Sequence, residues 1–297
     1  MNKTTHPAGN SPQPLAARLS AQERLSFWLT NRIPRTLFTR AMGRLSKVRQ
    51  PWFTKPALAI WQRCTDLRLF EAEKSDFASI HDCFVRRLKP GLRPYDPSPE
   101  RMGSPCDAIV GAHGIVERGE LLQAKGMVYR LEDLMQSNTD AASCEGFSYL
   151  TLRLTASMYH HFHAPHDMRV KRLRYIHGDV WNVNPPTLTQ IPALFAKNER
   201  AVVQLKLLPT QQTMWLIPVA AVLVASMRFT FSDLHLHLGY RGPTQTDLDA
   251  NLAKGDEMGW FEHGSTIICI VPSGWAYVGP KTGETIRAGQ TLWHQTA

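Results

Sequence analysis

After about residue 100 the chain changes texture. Short apolar and β-branched segments alternate with glycine-containing turns, as in "AIVGAHGIVERGEL", "YLTLRLT", "VVQLKLL", "MWLIPVAAVLVASMRFTF" and "STIICIVP". Segments this short, punctuated by turn residues, predict strands, so the body of the chain is expected to be β-rich. The run 267–271 is apolar at every position and lies between Gly264-Ser265 and Pro272-Ser273-Gly274. Such a run predicts a buried strand. The longest apolar stretch, 214–227, contains Pro218 and Ser226. It is too short to cross a bilayer and reads as one or two buried strands.

Before residue 100 the periodicity is helical. Leu25, Trp28, Leu29 and Arg32 make one stripe, and Leu37, Phe38, Met42 and Leu45 a second, with Pro34 opening the second helix. Residues 56–90 also predict helix, ending in "CFVRRLKPGLRPYDP", where Pro90-Gly91 and Pro94 force a loop. The fold class expected is α+β: N-terminal helices followed by a β-rich body. Two segments, 110–126 and 276–292, share a V-x-x-G-x-x-V/I-x-x-G-like rhythm. It resembles the turns of lipoyl-type barrel sandwiches, so the body is expected to have that character.

Charge divides the chain. Ten of the 34 Lys and Arg but only one of the 25 acidic residues, Glu23, fall in 1–60, so the net charge of +9 resides in that segment. A basic amphipathic helix pair carrying Trp28 and Phe38 suits an anionic membrane surface; the alternative is docking of its apolar stripe on the protein's own core. Nucleic acid is not expected, since no aromatic-and-basic RNA-binding signature follows. The five cysteines form no CxxC pair, which argues for a reducing compartment. Residues 1–14 are polar and proline-rich, unlike a secretory leader.

Histidines cluster in "MYHHFHAPHD", with His160, His161, His163 and His166 in seven positions, and His235 and His237 follow in "HLH". On a strand His161 and His163 share one face and His160 takes the other. Two chemistries fit: an H-x-H metal pair, without an acidic ligand at the usual spacing, or general acids and bases acting on a nucleophile.

Six ordered segments carry a resemblance. "GSPCDAIV" (103–110), "LLQAKGMVYRLEDLM" (121–135), "MYHHFHAP" (158–165), "IHGDVWNVNP" (176–185), "FAKNERAVV" (195–203) and "EMGWFEHGSTIICIVP" (257–272) together are similar to the phosphatidylserine decarboxylase family. "VRRLKPGLRP" (85–94) fits the same family. The resemblance implies a self-processing proenzyme, cut at Gly264-Ser265 into a β chain, 1–264, and an α chain, 265–297. Ser265 would attack the Gly264 carbonyl and end as a covalent pyruvoyl group. That group is the cofactor, forming a Schiff base with the amine of phosphatidylserine during conversion to phosphatidylethanolamine.

By the same resemblance, His163 is the base for self-cleavage, Asp107 fixes its tautomer, and His160 serves decarboxylation or protonation. Thr266 would orient the ester intermediate. No resident metal is implied. A pyridoxal enzyme would need a glycine-rich phosphate cradle, and none accompanies Lys125 or Lys197. Three positions depart from the family pattern: His263 for an apolar residue, Ala108 for Gly after Asp107, and Met158 for Asp.

The domains expected are 1–60, a membrane-associating arm; 61–100, a helical and loop connection; and 101–297, the catalytic body. The expected partners are phosphatidylserine in an anionic membrane and the chain's own two fragments, with a homodimer kept open. The expected location is peripheral, on the cytoplasmic face of a bacterial-type inner membrane. The competing readings are a metal-dependent β-barrel enzyme using 160–166, and a non-catalytic lipoyl-like membrane-bound module.

Overall fold

The structure, a computed structural model, describes residues 35–124, 127–221, 226–237, 239–262 and 265–296. The expected helix around Leu25, Trp28, Leu29 and Arg32 lies outside them, as do His263 and Gly264.

Helix α1 spans Arg35–Ser46 and α2 spans Pro51–Cys64. Pro51 opens α2, where its fixed φ suits the first turn and its missing N–H is not needed. The continuous helix expected over 56–90 is not formed. α2 stops at Cys64, a 3-10 turn covers Leu69–Glu71, and α3 occupies only Ile80–Phe84. Leu67, Ala72 and Phe77 are buried in this interval at a spacing of five, which no helix aligns on one face. Ser79 then fixes the start of α3, its Oγ accepting from the Asp82 amide at 3.1 Å.

Strands follow in the order β1 (Arg101–Gly103), β2 (Ala108–Ile115), β3 (Glu120–Ala124), β4 (Met127–Arg130), β5 (Ser148–Leu154) and β6 (His161–His163). Next come β7 (Met168–Ile176), β8 (Arg200–Leu207), β9 (Thr213–Ala220), β10 (Ser226–Phe229), β11 (Ser232–His237) and β12 (Gln245–Leu252). The last are β13 (Glu257–Phe261), β14 (Ser265–Val271), β15 (Trp275–Tyr277), β16 (Thr285–Ile286) and β17 (Thr291–Gln295). The described chain is therefore α+β and strand-rich, as expected.

An eight-stranded antiparallel sheet runs β12-β7-β8-β9-β14-β5-β2-β16, and a four-stranded sheet runs β11-β10-β13-β6. One apolar core lies between them and includes Leu152, Leu154, Phe162, Met227, Phe261 and Ile267. A second covers the opposite face of the large sheet, where Ile268, Ile270 and Val219 meet Leu131, Leu134 and Phe195 of short helices. β14 is thus central, and its odd and even residues enter different cores, which is why the run 267–271 has no polar side.

The chain passes between the two sheets at one common end. β5 ends at Leu154 and β9 at Ala220, both paired with Ser265, the first residue of β14. β6 begins at His161, opposite Trp260, and Met227 of β10 lies opposite Phe261. Any site built at this end draws residues from both layers.

Candidate active site

Ser265 stands at that end. Its register with Leu154 and Ala220 puts its side chain on the face that meets the small sheet. Ser265 is fully buried, and among the described residues its Oγ has no hydrogen-bond partner. Buried hydroxyls are normally satisfied, so this orphan stands out, as does that of Thr266 beside it. Glu262, two positions before the undescribed Gly264, is buried at the same end. Burial raises its pKa, but hydrogen bonds from His235 and Ser226 outweigh this and hold it well below the ordinary carboxylate range.

The four clustered histidines do not converge. His160 donates Nδ1–H to the Met158 carbonyl at 2.9 Å and lies tilted against Phe84, with ring centres 3.9 Å apart. Phe84 stacks in turn on Trp61 of α2, so the N-terminal helices reach the site through one ring. The His160 carbonyl accepts from the Phe261 amide at 3.0 Å, which ties this histidine to the segment entering β14. His161 meets the Val85 carbonyl through Nε2 and Glu257 through Nδ1, both at 3.1 Å. His166 is held by the carbonyls of Pro99 and Asp167. Among the described residues no three His, Cys, Asp or Glu side chains gather as a metal site.

His163 is held in one tautomer. Its Nδ1–H donates to the Gly255 carbonyl at 3.0 Å, so Nε2 carries the lone pair and accepts from Tyr159 Oη–H at 3.1 Å. Burial lowers its pKa below the ordinary imidazole value, and the Gly255 bond and the charges of Glu257 and Asp107 only partly oppose this. The ring is therefore neutral near pH 7 and able to take a proton. Burial also pushes the Tyr159 hydroxyl up, so it stays a donor.

Asp107 lies elsewhere than expected. Its carboxylate accepts Arg93 Nε at 2.8 Å, Arg93 Nη2 at 2.6 Å and the Ala288 amide at 2.9 Å. The same Nη2 reaches Glu71 at 2.6 Å. Both nitrogens of His163 have other partners, so the structure does not join Asp107 to His163. The two are neighbours through the backbone, the His163 amide donating to the Pro105 carbonyl at 2.7 Å. Burial pulls the Arg93 guanidinium down, but the bonds to Asp107 and Glu71 hold it well above its usual value. Beside this clamp opens a cavity of about 320 Å³ lined by Arg86, Arg93, Asp107, Met158, Tyr159 and Arg287.

Arg93, Tyr159 and Gly255 are the contributors that sequence reasoning did not assign. Arg93 and Tyr159 sit inside the quoted motifs "VRRLKPGLRP" and "MYHHFHAP", a signal available but unused. Gly255 acts through its carbonyl, which no side-chain pattern reveals. Of the three departures, Ala108 is fully buried and paired with Ile286, and Met158 supplies the carbonyl that holds His160. All five cysteines are free.

The family model for phosphatidylserine decarboxylase matches residues 80–294. A phosphatidylserine decarboxylase proenzyme of Idiomarina loihiensis is 31% identical over 261 residues, covering 84% of this chain and 88% of its own. Proteins of the same name from Brevibacillus brevis and Anaeromyxobacter sp. strain K are 30% identical over 272 residues and 32% over 268. They cover 89% and 88% of this chain and 95% and 94% of their own. The chain belongs to the phosphatidylserine decarboxylase family.

Proposed function

We propose that this chain decarboxylates phosphatidylserine to phosphatidylethanolamine, using a pyruvoyl group that it makes from Ser265 by cutting Gly264-Ser265. The observation that carries the reading is the orphaned, fully buried Ser265 hydroxyl at the first position of a strand paired on both sides. Its Oγ adds to the Gly264 carbonyl carbon, and the peptide C–N bond breaks to leave an ester and a free amine. Loss of the Ser265 α-proton then expels the Gly264 carboxylate. The resulting dehydroalanine takes up water and releases ammonia, leaving a ketone at position 265.

His163, neutral and aimed by Gly255 and Tyr159, is the base for these proton transfers. Asp107 acts on it through charge, and Arg93 keeps that charge in place. The pyruvoyl group supplies an electrophilic carbonyl that captures the substrate amine and receives electrons as carbon dioxide leaves. His160, anchored by Met158 and packed against Phe84, places the carboxylate and returns the proton.

The domain scheme of arm, connection and body belongs to the same proposal. For membrane contact the support is the basic 1–60 segment together with Trp52 and Ile60 of α2, 77% and 63% exposed. No helix among the described residues is long and apolar enough to cross a membrane. The barrel-sandwich character is supported by the pairing of β16 with β2, which brings the two rhythmic segments together.

Mass spectrometry of the purified protein tests the reading. It predicts two chains divided between Gly264 and Ser265, the second blocked at its N-terminus, and a single uncut chain for Ser265→Ala. If that variant still splits and decarboxylates, the assignment of Ser265 is wrong. Deleting 1–48 should weaken binding to anionic vesicles, and unchanged binding would remove the membrane role of the arm.

A further inference from the structure

Arg153 lies directly across from Thr266 on β5, next to the Ser265–Leu154 pair. It is half-buried on the face of the large sheet opposite the Ser265 side chain. Burial alone lowers its pKa, and no carboxylate acts to raise it. Among the described residues no hydrogen bond or ion pair holds its guanidinium. Arg200, in the same row across the sheet through Val219, shows what a satisfied buried guanidinium looks like here. It donates to the carbonyls of Leu134, Asn198 and Asp133 at 2.6–2.7 Å.

Arg153 has one further neighbour with unanswered polarity. Among the described residues the Thr266 hydroxyl, on its face of the sheet, is buried without a partner. A guanidinium out of bulk water with no counter-charge is costly, and an orphaned hydroxyl adds to the cost. The set holds donors and no carboxylate. That is the chemistry of an anion seat.

We propose that Arg153, with Thr266 beside it, seats the phosphodiester of the substrate head group. The assignment rests on the reading of Ser265 as the reacting residue. The substrate carries two anions, and the physics separates them. A guanidinium on the carboxylate would stabilise the charge that the reaction must disperse, and so would favour the ground state over the transition state. The phosphodiester keeps its charge from substrate to product. The carboxylate is left to His160 and to the apolar side of the strand, where Leu154 and Ala220 flank position 265.

The test uses the wild-type chain and reads modification of Arg153 by phenylglyoxal through peptide mass spectrometry. Glycerophosphoethanolamine, which has the phosphodiester and no carboxylate, should slow labelling of Arg153 about tenfold. L-serine, which has the carboxylate and no phosphate, should leave it unchanged. Protection by L-serine alone overturns the proposal, as does no protection by either. Equal protection by inorganic phosphate assigns the seat to free phosphate and overturns the head-group assignment.

Intact mass of the same sample reports cleavage separately. An uncut chain refutes the Ser265 reading, whereas an unprotected Arg153 in a cut chain refutes only this one. In Arg153→Gln the KM for short-chain phosphatidylserine should rise about tenfold, with kcat within about threefold and Arg153→Lys partly restoring KM. An unchanged KM in Arg153→Gln also overturns the proposal. If Arg153→Gln does not fold, the wild-type labelling decides alone.

Discussion

The Arg93–Asp107 pair lends itself to a double-mutant cycle. Arg93→Met removes the cation that bonds both Asp107 oxygens and Glu71, and Asp107→Asn removes the charge while keeping the shape. Their side chains are only 9% and 11% exposed, so each single change leaves a poorly solvated partner. Breaking one side of a buried pair costs about 3–5 kcal/mol, and this slightly open pair belongs at the lower end, about 3 kcal/mol. Removing both should cost clearly less than the sum, giving a coupling of about 2 kcal/mol. The Ala288 amide still finds an oxygen on Asn, and Glu71 keeps Arg68 and Arg287, each at 3.7 Å.

The cycle is best run in a Ser265→Ala background, where all four chains are single and uncut. Urea unfolding can be followed by the fluorescence of the buried Trp215 and Trp293. Additivity within about 0.5 kcal/mol would refute the coupling. The companion measurement, in chains with Ser265, is the rate of self-cleavage. If Asp107 worked by bonding His163 directly, Arg93→Met would release it to do so and cleavage would hold or quicken. Since both His163 nitrogens are already engaged, Arg93→Met and Asp107→Asn should slow cleavage alike.

Tyr159→Phe removes the donor that favours neutral His163, so self-cleavage should slow about fivefold to tenfold. Its acid limb, expected below the ordinary imidazole midpoint of about 6.5 in the wild type, should move up; a limb that stays put would exclude Tyr159 from the relay. Burial pushes the Glu199 carboxyl up from 4.5 to about 7, opposed only by its hydrogen bond from Tyr175. The folded chain then keeps a proton that the unfolded chain releases, and stability falls as pH rises from 4.5 to 7, by at most about 3 kcal/mol. Glu199→Gln should flatten that slope in denaturation curves taken across the interval. Gly259→Ala would bring a Cβ to 2.1 Å from the Arg228 carbonyl and 2.8 Å from Phe162. A loss of about 1–3 kcal/mol by thermal melting is expected, and an unchanged melting temperature would contradict the close pairing of β10 with β13.

What was legible in the sequence was whatever local chemistry fixes. The unbroken apolar run 267–271 read as a buried strand, and the structure buries it on both faces, with Ser265 at its start. Alternation separated His160 from His161 and His163, and the structure gives those two a shared neighbour in Tyr159. What escaped was set by contacts far apart along the chain. Gly255 holds His163 across 92 positions, through a carbonyl that every residue type possesses. Arg93 reaches Asp107 across a loop whose path is decided by the body beneath it. The helix read over 56–90 failed because buried residues at a spacing of five reward a meandering chain.

Ser265 begins a strand held at seven positions by β5 and at six by β9. Residues 265–296 also provide β15, β16 and β17, which pair with β2 and β1. Ile267, Ile268, Ile270 and Val271 are wholly buried, each worth about 1.5–3 kcal/mol on burial, so a cut at 264–265 would leave the shorter piece locked in the sheet. The molecule would then hold a topology that its two pieces learned as one chain. Unfolded after the cut, they would have to find each other from solution and thread the middle of an eight-stranded sheet. Such a maturation would be a one-way act: only the uncut chain would carry the whole topology in one piece, and the cut protein would survive only by never letting go.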